Sequence, residues 1–180
     1  VTVDADRFGQ LLDAHDAVFL GTGAQRSRPA SLPGRDLPGV LDALDFLAAV
    51  NAGTVAAMEG QRVLVLGGGD SAMDCARSVR RLGAAVSVAT RGDFRASPKE
   101  IEAAREEGVE LLAQHVPRSL LGSAAVEGVR FDTPGTSRDL PADRVILALG
   151  QVPAPPSWLA AHGVMLDETG RIVVDGQGRT

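Results

Sequence analysis

The stretch VLVLGGGDSAMDCARSVRRLGA, residues 63–84, places three adjacent glycines between an apolar run and an amphipathic one. The run RVLVL at 62–66 lacks polar alternation, which predicts a strand buried on both faces of a parallel sheet. Residues 71–82 have helical spacing, and AVSVAT at 85–90 predicts the next strand. Strand, glycine turn, helix and strand together form a βαβ unit, whose crossover we expect to be right-handed.

The glycine turn fits the pattern G-x-G-x-x-A through Gly67, Gly69 and Ala72. In such a pattern the first glycine permits the tight turn, the second lets backbone approach a pyrophosphate, and the alanine allows close packing of helix on strand. The helix start adds free N–H groups and a positive dipole end. The context predicts dinucleotide binding. The alternatives are a turn kept for packing and a methyltransferase-type loop for a nucleoside cofactor, which lacks a pyrophosphate.

The end of the second strand indicates which dinucleotide is preferred. An NAD site usually has a carboxylate about 20 residues after the glycines, where it binds the ribose 2′-hydroxyl. Here that position is Thr90-Arg91. Arg91 can pair with a 2′-phosphate, Arg95 can join it, and Asp93 between them weakens the positive field. These residues predict NADPH, and a solvated arginine after a strand is the alternative.

The rest of the chain predicts an α/β fold with a Rossmann-like parallel sheet, flanking helices and a β-meander. The meander is expected after residue 113, where short strands alternate with tight turns. Ser97 and Glu100 predict a capping box, and the arginines at 77, 80 and 81 predict a solvated face on the helix after the glycines. Further helices are predicted at 4–16, 40–53 and 97–108, further strands at 17–24, 109–113, 126–131, 144–150 and 171–180, and a linker at 26–39.

Composition excludes several classes of function. The chain has 180 residues and a formal net charge of −5, which argues against an electrostatic nucleic-acid partner. No apolar run reaches the ~18 to 20 residues of a membrane span, and no signal-like segment opens the chain, so we expect a cytoplasmic protein. The lone cysteine, Cys75, predicts a packed core thiol. His15, His115 and His162 lack ligand spacing, so no metal site is expected.

The segments at 62–84 and 89–112 together resemble the small (beta) subunit of NADPH-dependent glutamate synthase and its relatives. These relatives include the NADPH-binding part of dihydropyrimidine dehydrogenase and ferredoxin-linked oxidoreductases. The resemblance continues through AVFLGTGAQRSRPASLPGRDLPGVLDALDFL (17–47), LPADRVILALGQVP (140–153) and GRIVVDGQGRT (170–180). It implies an FAD/NAD(P)-binding fold, in which an FAD domain is interrupted by an inserted NADPH-binding domain.

The resemblance also implies a domain layout. The chain resembles an NADPH-binding domain cut from a longer oxidoreductase, and we expect it to be inactive alone, because the family's flavin glycine loop and iron–sulfur cysteines are absent from it. The expected partners are the remainder of the FAD domain and an iron–sulfur or large-subunit electron acceptor. The layout assigns residues 1–30 to a partial FAD-domain segment, 31–60 to a linker and helix, 61–150 to the NADPH-binding domain and 151–180 to a return segment.

In the family, NADPH passes a hydride to FAD, so the resemblance implies cofactor contacts and no general acid, base or nucleophile. In place of the second arginine common in the family, Gly92 follows Arg91, so we expect a weaker 2′-phosphate clamp. The open alternatives are a non-catalytic Rossmann-like module, whose glycine loop side chains would block, and another NAD(P)-dependent reductase. The implied contacts are Gly67, Gly68, Gly69, Asp70, Ser71 and Ala72 at the pyrophosphate, Arg91 and Arg95 at the 2′-phosphate, Gly150 and Gln151 beside the nicotinamide, and Thr22 and Gly23 near the flavin.

Overall fold

A computed structural model describes residues 2–180, which divide into two compact units. One unit is Ser27–Gly150, and the other combines the chain up to Arg26 with Gln151–Thr180. None of the helices in residues 2–180 is long and apolar enough to cross a bilayer. The elements are helices α1 (Ala5–Ala14), α2 (Ala43–Asn51), α3 (Asp70–Arg81) and α4 (Pro98–Glu106), a 3-10 helix (Ser157–His162), and strands β1 (Arg26–Ser27), β2 (Val40–Asp42), β3 (Arg62–Leu66), β4 (Ala85–Ala89), β5 (Glu110–Leu112), β6 (Val116–Leu121), β7 (Gly128–Thr133), β8 (Thr136–Pro141), β9 (Arg144–Leu147) and β10 (Gln151–Val152).

A parallel sheet of five strands organises the larger unit, in the order β2-β9-β3-β4-β5. The central strand β3 confirms the prediction of burial on both faces, because Val63 and Val65 are buried in one apolar core and Leu64 and Leu66 in another. After β3 the chain builds β4 and β5 on one side, whereas β9 and β2 occupy the other side. The order therefore reverses at β3, and the carboxyl ends of β3 and β9 flank the crevice where such sheets bind ligands.

The two faces of this sheet are covered differently. Helices α2, α3 and α4 pack on one face, where α3 buries its apolar side chains. The antiparallel meander β6-β7-β8 covers the other face, with Phe131 and Val129 buried against Leu64 and Leu66. The fold class predicted from the sequence is confirmed by this arrangement. The buried side chains of α3 are Ala72, Met73, Cys75, Ala76 and Val79.

The smaller unit has its own apolar cluster. Helix α1 begins after Asp4, whose carboxylate accepts the N–H of Arg7 at 2.8 Å and so caps the helix. Phe8 on this helix is buried, with its ring centroid 5.2 Å from that of Trp158 and 5.1 Å from that of His162. The predicted helix at 4–16 is therefore confirmed, with slightly shorter bounds.

Several strand predictions were wrong. Residues 17–24 form no strand, and Phe19 is 94% exposed, because an apolar run becomes a strand only beside a partner that residues 2–180 do not supply. The run at 171–180 forms only one bridge, between Ile172 and Leu166. Strand β6 was not predicted, since Pro117 and Arg118 interrupt its alternation.

Two further boundaries differ because the parallel sheet recruits segments assigned elsewhere. The predicted helix at 40–53 begins only at Ala43, since Val40–Asp42 pair with β9 as a strand. The segment at 144–150 was predicted to continue the meander, but Arg144–Leu147 enter the parallel sheet and the strand ends there. In the second segment Val145, Ile146 and Leu147 are buried in the sheet, and in the first, at the sheet edge, Val40 and Leu41 are half-buried against the same cores.

The helix at 97–108 is present, but only one of the two hydrogen bonds of its predicted capping box forms. The Ser97 hydroxyl accepts the N–H of Glu100 at 3.4 Å, as predicted. The Glu100 carboxylate pairs with Arg77 at 2.7 Å instead of returning to Ser97. Arg77 also binds Glu107 at 2.8 Å, so this arginine joins α3 to α4 and the prediction of a solvated face was wrong for it.

Candidate functional site

The loop Gly67-Gly68-Gly69 joins the carboxyl end of β3 to the start of α3. Gly67 has a φ of +150°, and a Cβ built there would overlap the carbonyl oxygen of Ala148, just beyond β9. Its N–H donates to the carbonyl of Ala89 at 2.9 Å. Gly67 is therefore required by the close approach of backbone at the ends of three strands.

Gly68 is also required by the fold, a role that the sequence did not reveal. A Cβ at this position would lie 2.6 Å from the hydroxyl oxygen of Thr90, a buried side chain at the end of β4. The Gly68 carbonyl accepts the N–H groups of Arg95 at 2.6 Å and Ala96 at 2.9 Å. A threonine after an apolar strand carries no particular signal, so this contact could be found only in the structure.

Gly69 differs from both neighbours because the fold does not require a glycine there. Its φ is −100°, which any residue adopts, and no atom lies within 4 Å of a Cβ built on it. Gly69 is the N-cap of α3 and provides no side-chain cap. Within residues 2–180, the N–H groups of Gly69 and Asp70 donate to no protein atom. The helix start is thus open, with two donors and the positive end of the dipole available to an anion.

The next two residues of the motif lie in the first turn of α3. Ser71 is half-buried. Ala72 is fully buried and its N–H donates to the Gly69 carbonyl at 2.9 Å, so its side chain contributes to the packing of α3 on the sheet. This is the packing role that the alanine of the motif was expected to have.

The segment after β4 brings two positive charges to the glycine loop. Arg91 and Arg95 are exposed, and neither forms an ion pair within the described part of the chain. The bond from the Arg95 N–H to the Gly68 carbonyl fixes this segment against the loop. Asp93 is exposed between the two arginines, and Gly92 has open space around it. The arrangement can hold a second anionic group beyond the one at the helix start.

The remaining predicted contacts are distributed over both units. Gly150 belongs to the larger unit, has a φ of +104°, and accepts the N–H of Arg28 at 3.0 Å through its carbonyl. Gln151, Thr22 and Gly23 belong to the smaller unit. Their assignment to the nicotinamide and flavin stays a prediction.

Titratable side chains near the loop do not form an acid–base pair. Burial raises the pKa of the Cys75 thiol to about 12, with a smaller contribution from Asp74, so this thiol is not a nucleophile at neutral pH. Burial and the neighbouring Glu100 raise the pKa of Asp74. Among the described residues, no three His, Cys, Asp or Glu side chains are grouped as metal ligands.

Comparison with known proteins decides the family. The pattern of the pyridine nucleotide-disulphide oxidoreductases matches residues 4–180. The chain belongs to this family. A relative, the glutamate synthase [NADPH] small chain of Halomonas elongata, is 40% identical over 95% of this chain. The chain spans only 43% of that relative's length.

Solved structures of other proteins share the fold. The thioredoxin reductase of Lactococcus lactis is 25% identical, with a TM-score of 0.70 over 86% of this chain and 50% of its own. An FAD-dependent pyridine nucleotide-disulphide oxidoreductase of Desulfovibrio vulgaris is 26% identical, with a TM-score of 0.64 over 86% of this chain and 40% of its own. The resemblance to the glutamate synthase small subunit and the Rossmann-like fold inferred from the sequence are thereby confirmed.

Proposed function

We propose that this chain binds NADPH and places it for hydride transfer to FAD in a glutamate synthase small-subunit-like oxidoreductase. NADPH supplies the hydride and FAD accepts it when both are bound, and the protein contributes position and electrostatics. The observation that carries the proposal is the open helix start at Gly69. Gly69 is half-buried, the fold does not require a glycine there, and the space beside its Cα is open. With two unused N–H donors next to it, this position suits a pyrophosphate that comes close to the backbone.

The same opening argues against a non-catalytic module, whose glycine loop should be blocked by side chains. Gly67 and Gly68 contact the ends of β9 and β4, and only Gly69 is open. In this proposal Gly68, Gly69, Asp70 and Ser71 belong to the pyrophosphate end of the site. Ala72 supports it from the core.

The two arginines after β4 support NADPH over NADH. Arg91 and Arg95 are exposed cations without an ion pair in residues 2–180, and no carboxylate occupies the place where NAD sites bind the ribose 2′-hydroxyl. A guanidinium binds a phosphate through a bidentate, charge-assisted contact. The Halomonas elongata relative is named for NADPH, which agrees with this assignment.

The flavin and the partners complete the proposal. The chain spans less than half of that relative, so the FAD site and the electron acceptor are assigned to the whole protein. The Desulfovibrio vulgaris structure is described as FAD-dependent, and the Halomonas elongata relative as a small chain, which supports a flavin and a large-subunit partner. An iron–sulfur electron acceptor and a cytoplasmic location also belong to this proposal, together with roles for Gly150 and Gln151 beside the nicotinamide and for Thr22 and Gly23 near the flavin.

Calorimetric titration of the protein with NADPH and NADH, at one fixed salt concentration, tests the cofactor assignment. We expect NADPH to bind roughly ten times more tightly than NADH or better, since a charge-assisted hydrogen bond contributes about 1.5–3 kcal/mol. Equal affinity for the two nucleotides would reject the 2′-phosphate site. Absence of binding by both would reject the nucleotide site itself.

A further inference from the structure

Asp70 connects the starts of two helices. It is the first residue of α3, directly after the glycine loop, and its Oδ1 atom accepts the backbone N–H of Ser97 at 2.8 Å. Ser97 is the N-cap of α4. The Asp70 carboxylate thus ties the start of α3, directly after the glycines, to Ser97 at the end of the segment that carries Arg91 and Arg95.

The segment between Thr90 and Ser97 is held mainly through backbone atoms. His115 donates its N–H to the Thr90 carbonyl at 2.8 Å, and Gln114 donates to the Gly92 carbonyl at 3.3 Å. At the other end, the N–H groups of Arg95 and Ala96 converge on the Gly68 carbonyl. The bond from Ser97 to Asp70 continues this row, so three consecutive N–H groups, from 95 to 97, attach the segment to the glycine loop and to the first residue of α3. The acceptor for the Ser97 N–H is a side chain, so a substitution of Asp70 can remove this hydrogen bond, whereas the other two bonds have a backbone acceptor.

The charge of Asp70 argues against a direct contact with a phosphate. A carboxylate that pointed at a pyrophosphate would repel it, whereas a carboxylate that accepts an N–H from a neighbouring segment can stabilise the helix start through the dipole. The bond to Ser97 directs the Asp70 oxygen toward the α4 cap. The expectation from the sequence, that Asp70 is a cofactor contact, therefore has a more specific alternative.

We propose that Asp70 is a positioning residue for cofactor selectivity, which holds Arg91 and Arg95 in register with the glycine loop through its bond to Ser97. This inference rests on the proposed function, because it assigns the two arginines to a 2′-phosphate. It predicts that Asp70 controls the ratio of the two nucleotide affinities more than the affinity for either nucleotide alone. A residue that only stabilised the fold would affect both affinities alike.

Two substitutions separate the hydrogen bond from the charge. Asp70→Ala removes the acceptor, whereas Asp70→Asn keeps an oxygen that can accept the Ser97 N–H. We expect Asp70→Ala to lower the preference for NADPH over NADH by roughly three- to tenfold, mainly through weaker NADPH binding. A change of this size corresponds to the loss of one net hydrogen bond. Asp70→Asn should retain most of the preference. Amide hydrogen exchange provides a second readout: Ser97 should exchange faster in Asp70→Ala and recover its protection in Asp70→Asn.

The titrations also distinguish this inference from the proposed function. If wild type prefers NADPH and Asp70→Ala keeps that preference, or loses both affinities equally, the positioning role of Asp70 is wrong while the cofactor assignment stands. If Asp70→Asn loses selectivity as fully as Asp70→Ala, the charge and not the bond to Ser97 matters, and the inference is again wrong. If wild type shows no preference, the NADPH assignment is wrong and the inference is rejected with it.

Discussion

The carbonyl of Gly68 accepts the backbone N–H of Arg95 at 2.6 Å, although the two residues are separated by a complete helix and strand. This contact brings the end of β4 to the glycine loop. Thr90 occupies the space beside Gly68, whereas the space beside Gly69 is open. The positions of the two proposed anion sites are therefore set by backbone contacts, and the side chains that would read the ligand are left exposed.

Arg91 should determine the cofactor preference. We expect Arg91→Ala to weaken NADPH binding by roughly 10- to 150-fold while NADH binding stays within about twofold, because only NADPH carries the 2′-phosphate. Calorimetric titration with both nucleotides measures the two changes. Arg118→Ala is a suitable control, since this arginine is also exposed but pairs with Asp132 on the meander. An equal loss for both nucleotides in Arg91→Ala would mean that Arg91 does not read the 2′-phosphate.

Gly69 should tolerate a methyl group in the fold but not in the complex. We expect Gly69→Ala to change the free energy of unfolding by less than about 1 kcal/mol, since its φ suits alanine and the space is open. NADPH affinity should fall at least about tenfold if a pyrophosphate approaches this backbone. Thermal denaturation and titration measure the two effects.

Gly176→Ala is the matched control for Gly69→Ala. Gly176 also lies outside the left-handed region and has nothing within 4 Å of a Cβ built on it. We expect this variant to keep both stability and NADPH affinity. Gly67→Ala should instead lower stability by more than about 1 kcal/mol, because its φ of +150° and the contact with Ala148 exclude a side chain. Unchanged NADPH affinity in Gly69→Ala would remove the main support for the pyrophosphate site.

The ion pair between Arg62 and Asp143 should make stability depend on pH in the acid range. Hydrogen bonds from the Arg62 side chain, and then from its backbone N–H, lower the pKa of Asp143 to about 2. Because the folded pKa lies below the ordinary value of 3.8, the stabilisation is complete above about pH 4 and is lost as the pH falls toward 2.

We expect Asp143→Asn to lower the free energy of unfolding at pH 7 by less than about 1 kcal/mol, because both side chains are about half exposed. The variant should also lose part of the decrease in stability between pH 4 and pH 2. Urea denaturation at several pH values measures both quantities. Asp36→Asn is the control, since Asp36 is exposed and forms no ion pair within residues 2–180. A pH profile identical to that of wild type would show that the pair does not couple folding to Asp143 ionisation.

The Cys75 thiol should be unreactive in the folded protein. Its pKa is raised to about 12 by burial and it lies within the core under α3, so a disulphide reagent at pH 8 should find neither thiolate nor access. We expect one thiol per chain to react only after denaturation. Ser123→Cys places a thiol at an exposed site and should react within the mixing time. Labelling of native Cys75 at a comparable rate would contradict the packed core.

The sequence predicted the βαβ unit well because local signals there agree with the tertiary context. The run at 62–66 is apolar without alternation, the three glycines mark the turn, and helix α3 presents one apolar face. The predictions were wrong where a partner elsewhere in the chain decides the outcome. Residues 40–42 became a strand because β9 pairs with them, and residues 17–24 did not because no strand among residues 2–180 pairs with them.

The candidate site shows the same division. The pattern of Gly67, Gly69 and Ala72 could be recognised from spacing, and Arg91 from its distance along the chain. The role of Gly68 depends on Thr90, and that of Asp70 on Ser97, which are contacts between residues 22 and 27 positions apart. Helical and strand periodicities describe the positions of residues within one element, so they do not predict contacts between residues of different elements.

The most direct test of the nucleotide site is the chemical shift of the backbone amides of Gly69 and Asp70 during titration of the labelled protein with NADPH. Both N–H groups donate to no atom of residues 2–180, and a pyrophosphate at the helix start would give them acceptors. We predict saturable downfield proton shifts for these two amides, with smaller changes in the meander residues 128–141. Saturating NADPH that leaves the Gly69 and Asp70 amides unshifted would contradict the account.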